Sequence, residues 1–256
     1  MPPITKIRDE ELLTTEEVLT EIKQALSGKK PFSLVRIGDG DNIVLGQYTH
    51  LSEEEFLNSY WIKESHGDRS KGLRLPNPDL RDAMIDSLRK ATIVGICKNQ
   101  DEIRVPERYK RELTNKIFTH YNLTPAKVGH NFVNRKIVSS QAFWELLRTY
   151  PTLLISKWAR KFARVIRQKY STLPPQIVAC INFSDYSQLE RTVEKVGKYH
   201  FELALISTGC SAVVLAQRIA ETYGKVALDF GKSMMFMVRQ SPRITPWSEE
   251  ERDEIR

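Results

Sequence analysis

Cysteine is scarce in this chain of 256 residues: there are three, Cys97, Cys180 and Cys210, an odd number with no C-x-x-C spacing. Count and spacing speak against a disulfide framework and against a zinc site, and each thiol lies near the end of an apolar run, so reduced, buried thiols are expected. Long hydrophobic runs are missing as well. No stretch nears the roughly 18 apolar residues of a membrane span. The opening MPPITKIRDEELL lacks the apolar centre of a signal peptide, and a cytoplasmic protein is the resulting expectation. Glycine and proline number 12 each and form no tract, and no internal repeat is visible, which leaves neither a fibrous nor a half-disordered chain. Acidic residues are in deficit, 32 against 39 Lys and Arg, for a net charge of +7. That balance favours anionic partners such as nucleic acid, lipid headgroups or phosphorylated small molecules, without choosing among them.

What is present is an alternation. Short β-rich apolar runs recur at 32–37, 92–96, 152–156, 176–180, 203–207 and 225–229, with amphipathic helical patterns between them. Such alternation is the signal of parallel βαβ units. The expected fold is therefore α/β: a single Rossmann-like domain over residues 1–240, with a mostly parallel sheet of about six strands and helices on both faces. Capping boxes at Thr14-x-x-Glu17 and Ser52-x-x-Glu55, and Asn77 before Pro78, predict helices over 15–27, 53–62 and 78–90. Further helical patterns occupy 106–119, 140–149, 158–170, 186–198 and 210–223, the last stopped by Gly224. Residues 121–139 read as an edge strand or a crossing loop. Residues 241–256 form a proline-interrupted, highly charged tail.

The first apolar run discharges into Gly38-Asp39-Gly40-Asp41, a position where α/β sheets place ligands. The dinucleotide pattern G-x-G-x-x-G fails, because Ile43 stands at its third glycine and two acids would repel a bare pyrophosphate. A calcium loop fails because its later ligand positions are Ile43 and Leu45. Two carboxylates around one glycine suit a hard divalent ion that bridges them to phosphate oxygens. The plainer alternative is a turn in which Asp39 or Asp41 caps a helix beginning near Ile43.

Arg36-Ile37-Gly38-Asp39-Gly40-Asp41 resembles the R-[FI]-G-D-G-E signature of GT-D-type bacterial glycosyltransferases, whose Rossmann-like fold carries a D-x-E motif. The segments LPNPDLRDAMIDSLRKATIVGI, VGHNFVNRKIV with FWELL, and LALISTGCSAVVLAQRIAETYGKVALDFGK follow the style and order of that family over roughly residues 30–235. The resemblance implies transfer of a sugar from a nucleoside diphosphate donor, a UDP-sugar by preference. It implies a glycan, glycoprotein or lipid-linked acceptor, work at the inner face of the membrane, and no nucleic acid. Asp39 and Asp41 would hold Mn²⁺ or Mg²⁺ and act as the catalytic pair. Asp41 stands where the family has glutamate, and Lys232, near Asp229, stands where members often carry histidine, supplying a fixed positive charge instead.

Other residues join the candidate donor site from their own pattern. LISTGCSAVV reads strand, turn, helix, so backbone amides at Gly209 and beyond and the hydroxyls of Thr208 and Ser211 can cradle a phosphate, while an ordinary turn is the alternative. Arg36 leans to the same mouth, to meet a phosphate or to form a structural ion pair. Gly38 and Gly40 complete the donor-binding set. His66 and His130 are candidate bases in weakly structured segments. SKWARKFARVIRQKY sets Arg160, Arg164 and Arg167 around a narrow apolar side, a solvated face or a surface for an anionic acceptor or membrane headgroups. Two rival readings remain: a basic nucleic-acid-binding module, and another nucleotide-binding transferase such as a methyltransferase.

Overall fold

Strands buried on both faces read as unbroken apolar runs, and five of the six expected strands appear so in space, the sixth being the half-exposed run at 176–180. The computed structural model of the protein describes residues 7–65, 72–99 and 105–241, so His66 and nearly all of the charged tail lie outside the described residues. Eight strands are present among the described residues: β1 Leu12–Leu13, β2 Phe32–Arg36, β3 Ile93–Ile96, β4 Val128–His130, β5 Thr152–Ile155, β6 Ile177–Ile181, β7 Leu203–Ile206 and β8 Val226–Asp229. They form one sheet in the order β1-β4-β3-β2-β8-β7-β5-β6, and each strand pair is parallel. The expectation of about six strands falls short by β1 and β4. β1 has two residues, too few for any period, and β4 is Val-Gly-His, with little strand propensity; both are recruited by pairing rather than announced by pattern.

Among the described residues twelve helices cover the two faces. On one lie α2 Asp39–Gly46, α3 Glu53–Leu57, α4 Tyr60–Ser65, α5 Pro78–Lys90, α6 Arg111–His120, α10 Leu189–Val196 and α11 Ser211–Tyr223; on the other lie α1 Thr15–Ser27, α7 Val133–Lys136, α8 Gln141–Thr149, α9 Ala159–Lys169 and α12 Ser233–Val238. Alternation along each strand divides the core: Val35, Ala204, Ile206 and Ala227 face the first layer, while Leu34, Leu203, Leu205 and Leu228 face the second. The capping boxes at Thr14 and Ser52 form as spaced, and Asn77 Oδ1 accepts the Leu80 amide at 2.9 Å. The helix expected over 53–62 is instead two, parted at Asn58-Ser59. No helix among the described residues is long and apolar enough to cross a membrane.

The order of strands reverses at β2 and β8. From β2 the chain winds outward through β3 to β4, then crosses to β5 and β6 and returns through β7 to lay β8 against β2. Because all strands are parallel, their carboxyl ends share one edge, and the crevice at this reversal is where such sheets place ligands. The buried helix α11 packs across β2 and β8 and brings its N-terminus to that crevice.

At its other end α11 stops at Gly224, in the left-handed region at φ 64°, whose amide closes on the Ala220 carbonyl at 3.0 Å. An added Cβ at Gly224 meets nothing within 4 Å. Gly224→Ala therefore isolates backbone strain from packing. It should cost about 1 kcal/mol, with Gly224→Asn losing less. Chemical denaturation of the three proteins checks this, and equal stability of all three would contradict it.

Candidate active site

Arg36 ends β2, and its guanidinium spans the segments that follow β4 and β8. Nε donates to the Asp229 carbonyl at 3.0 Å and Nη2 to Asp229 Oδ1 at 3.1 Å. Nη1 donates to the Asn131 carbonyl at 2.6 Å and to Asn134 Oδ1 at 2.9 Å. Four of its five N–H groups are thus engaged, in the structural ion pair that was the alternative to a phosphate contact. Room for it comes from Gly231, at φ 52°, where any Cβ would collide with Nη2. Asn134 extends the network, donating to the Phe230 carbonyl and Ser233 Oγ, both at 2.9 Å.

The Gly-Asp-Gly-Asp stretch is itself helix. α2 begins on Asp39 with Gly38 as N-cap, four residues before the Ile43 start expected for a capped turn. Asp41 Oδ2 accepts the Gly38 amide at 2.9 Å, the back-reaching half of a capping box. Asp39 Oδ2 accepts from the Tyr60 hydroxyl of α4. Residues two apart on a helix point to different sides, so the two acids meet the crevice from different walls. Gly40 serves the packing of helices. A Cβ there would run into the Trp61 indole, so its absence seats α4 on α2. Gly38 is extended at φ −100°, with Asp41 Oδ2 3.6 Å from an added Cβ, and lines the crevice with bare backbone.

Both deep carboxyls are displaced upward in pKa. Asp41 is raised to about 6, chiefly by burial, with the charge of Asp229 adding to it and bonds from the Cys210 thiol and the Gly38 amide opposing it. Asp229 is raised by burial against the pull of Arg36. Asp41 keeps partial exposure only towards the crevice it lines.

The β7–α11 turn, whose Cys210 thiol bonds Asp41, presents Ser207, Thr208 and Gly209, the last at φ 65°. The hydroxyls of Ser207, Thr208 and Ser211 are buried and have no protein partner. A buried unpaired hydroxyl costs about 1–3 kcal/mol, so three at one helix N-terminus mark a place shaped for oxygen-rich ligand groups. The crevice encloses about 400 Å³ and brings together Arg36, Gly38, Asp39, Gly40, Asp41, Thr208, Gly209, Asp229 and Lys232. Ser211 stands directly behind the turn. Lys232 is exposed at the start of α12.

Sequence reasoning missed the rest of the lining. Trp61, Phe132, Trp158 and Phe183 give it aromatic walls, and Asn131, Arg135 and Lys157 add polar groups. Phe132 to Arg135 lie inside a quoted family segment, yet nothing in their spacing marks them. His130 is buried, its Nδ1 accepting the Phe132 amide at 3.4 Å, and it does not line the crevice. Arg160, Arg164 and Arg167 stand apart, lining a separate groove with Cys180 of β6.

A metal must be tested against this donor set. No group of three or more His, Cys, Asp or Glu side chains able to hold an ion occurs among the described residues. Asp39 and Asp41, sharing a crevice with unpaired hydroxyls, fit a hard ion that takes one or two protein ligands and completes its shell with substrate phosphates. They do not fit a closed protein cage.

A family model described as a GT-D fold-like domain matches residues 13–237. A solved structure reported with the words "the highly conserved domain of unknown function 1792 has a distinct glycosyltransferase fold" aligns at a TM-score of 0.50 and 18% identity, over 88% of this chain and 78% of that one. At that identity the likeness concerns the fold alone. No curated protein matches this chain.

The raised pKa of Asp41 sets a pH dependence. Between about pH 4 and pH 6 the folded protein holds a proton that the unfolded chain has released, so stability falls as pH rises through that window and stays lower above it. Asp41→Asn keeps an acceptor for the Gly38 amide and cannot ionise. It should stabilise the protein by on the order of 1–3 kcal/mol at neutral pH and by little near pH 4. Denaturant midpoints across pH measure this, and a pH-independent difference would contradict it.

Proposed function

The chain belongs to the GT-D fold-like domain family, and from that premise we propose that it is a glycosyltransferase moving a sugar from a nucleoside diphosphate to a hydroxyl acceptor. The observation that carries the reading is the β7–α11 turn, where three buried hydroxyls without protein partners meet the N-terminus of a 13-residue helix. Phosphate oxygens would accept from all three hydroxyls, and the helix dipole favours their charge. Lys232, on the opposite lip, adds a fixed positive charge.

In the reaction the bond from the sugar's anomeric carbon to the diphosphate oxygen breaks, a bond to the acceptor oxygen forms, and the acceptor hydroxyl gives up its proton. Negative charge grows on the departing diphosphate, where oriented donors count most. Thr208, Ser211 and the amides after Gly209 supply them without moving. Asp41 and Asp39 would hold Mn²⁺ or Mg²⁺, which when bound neutralises phosphate charge. Trp61 and Phe183 offer faces for the nucleobase and sugar, while Phe132 and Trp158, whose rings already carry cationic side chains, help to exclude water. Uridine as the nucleoside is the reading carried over from the family resemblance.

Calorimetry with UDP tests the proposal. Affinity should require Mn²⁺ or Mg²⁺, since unscreened carboxylates repel a diphosphate, and should fall about tenfold in Thr208→Val and again in Ser211→Ala. Lys232→Ala should weaken UDP more than uridine, because only the former carries the charge it meets. UDP affinity unchanged in all three variants and in chelator would defeat the reading.

A further inference from the structure

The net positive charge of this protein has an address. Between Glu145 and Asp185 the sequence contains no Asp or Glu, yet it holds Arg148, Lys157, Arg160, Lys161, Arg164, Arg167 and Lys169. Those seven cations equal the whole excess of 39 basic over 32 acidic residues, so the rest of the chain balances at 32 of each. Structure places most of them on α9, which packs Phe162, Ala163 and Ile166 into the core and flanks β6, the terminal strand of the sheet.

Arg160, Arg164 and Arg167 form a stripe of four- and three-residue steps along a groove that Cys180 floors. Among the described residues none of the three makes an ion pair, and Arg167 alone is tied down, donating to the Ile177 carbonyl at 3.0 Å. Some surface cations elsewhere are matched, as in Lys116 with Glu112, Arg218 with Glu190 and Lys90 with Glu221. Beside the stripe the surface turns apolar. Leu173 is 60% exposed and Val178, at a bulge in β6, 45% exposed; they are two of the four exposed large apolar side chains among the described residues.

We propose that this edge docks on an anionic membrane surface, with the arginines among lipid phosphates and Leu173 and Val178 at the level of the first acyl carbons. Unpaired cations beside exposed aliphatic chains match a bilayer interface, which is charged outside and apolar just beneath. Nucleic acid fits less well, because stacking on bases needs free aromatic faces. Here Trp158 already carries Lys161 and Arg239, and Tyr170 carries Arg148 and Lys169. Lys157 and Trp158, at the head of the same helix, line the catalytic crevice, so docking would bring the crevice to the membrane.

Flotation of the full chain with phosphatidylcholine vesicles, with and without phosphatidylglycerol, tests this and needs no nucleotide, so it stands or falls apart from the transferase reading. Binding should require phosphatidylglycerol and fade at high salt. Arg160→Gln/Arg164→Gln, which breaks no hydrogen bond of the fold, should weaken it by at least about tenfold. Leu173→Ser should weaken it at unchanged salt, whereas Lys90→Gln/Lys116→Gln, equal in charge lost, should not. The proposal is overturned if the protein ignores these vesicles, if both double variants lose binding equally, or if duplex DNA binds the arginine edge more tightly than the vesicles do.

Discussion

The carboxyl edge of the sheet around β2, β4 and β8 is registered on the guanidinium of Arg36. From the end of β2 it reaches the loops after β4 and β8, with hydrogen bonds to two carbonyls, an amide oxygen and a carboxylate. The reversal of strand order at β2 and β8 would otherwise leave two loops diverging over an open crevice. Arginine suits this position because its fork is planar and permanently charged, so the angles between its partners are fixed. Removing it would strand Asp229, 3% exposed, as an unpaired buried acid, a loss of the kind worth about 3–5 kcal/mol.

The site holds groups that would prefer water. Asp41 is held deep enough for its pKa to reach about 6, and three hydroxyls of the β7–α11 turn are sealed off without partners. Acids, hydroxyls and aromatic side chains line one crevice of about 400 Å³. The conflict is local and stability is lost to it, the usual pattern where a site is preorganised for charge it does not itself contain.

Six strands were legible because each reads as a continuous apolar run, five of them largely buried and β6 at the sheet edge, and the helix starts at Thr14, Ser52 and Asn77 because capping chemistry is local. β4 was not legible: Val-Gly-His becomes strand only by pairing with β3 and β1. The start of α2 was hidden for a similar reason, since a capping acid and a metal-binding acid look alike in sequence. In space one of the two acids caps and the other bonds Tyr60. Of the crevice, residues that directly follow strands were findable, including Thr208, Gly209 and Asp229. Asn131, Asn134 and the aromatic walls were not, because what recruits them is contact across the chain, as in the 98-residue separation of Arg36 and Asn134. No spacing rule reaches that far.

The central claim is that the crevice at the β2–β8 reversal receives a nucleoside diphosphate with its phosphates on the β7–α11 turn. A crystal structure of the protein with UDP and Mn²⁺ tests it most directly. The account predicts phosphate oxygens within hydrogen-bond reach of Thr208 and Ser211, the ion between those phosphates and Asp41, and Arg36 still bound to Asp229. A diphosphate seated elsewhere, or held by Arg36 after it has released Asp229, would contradict it.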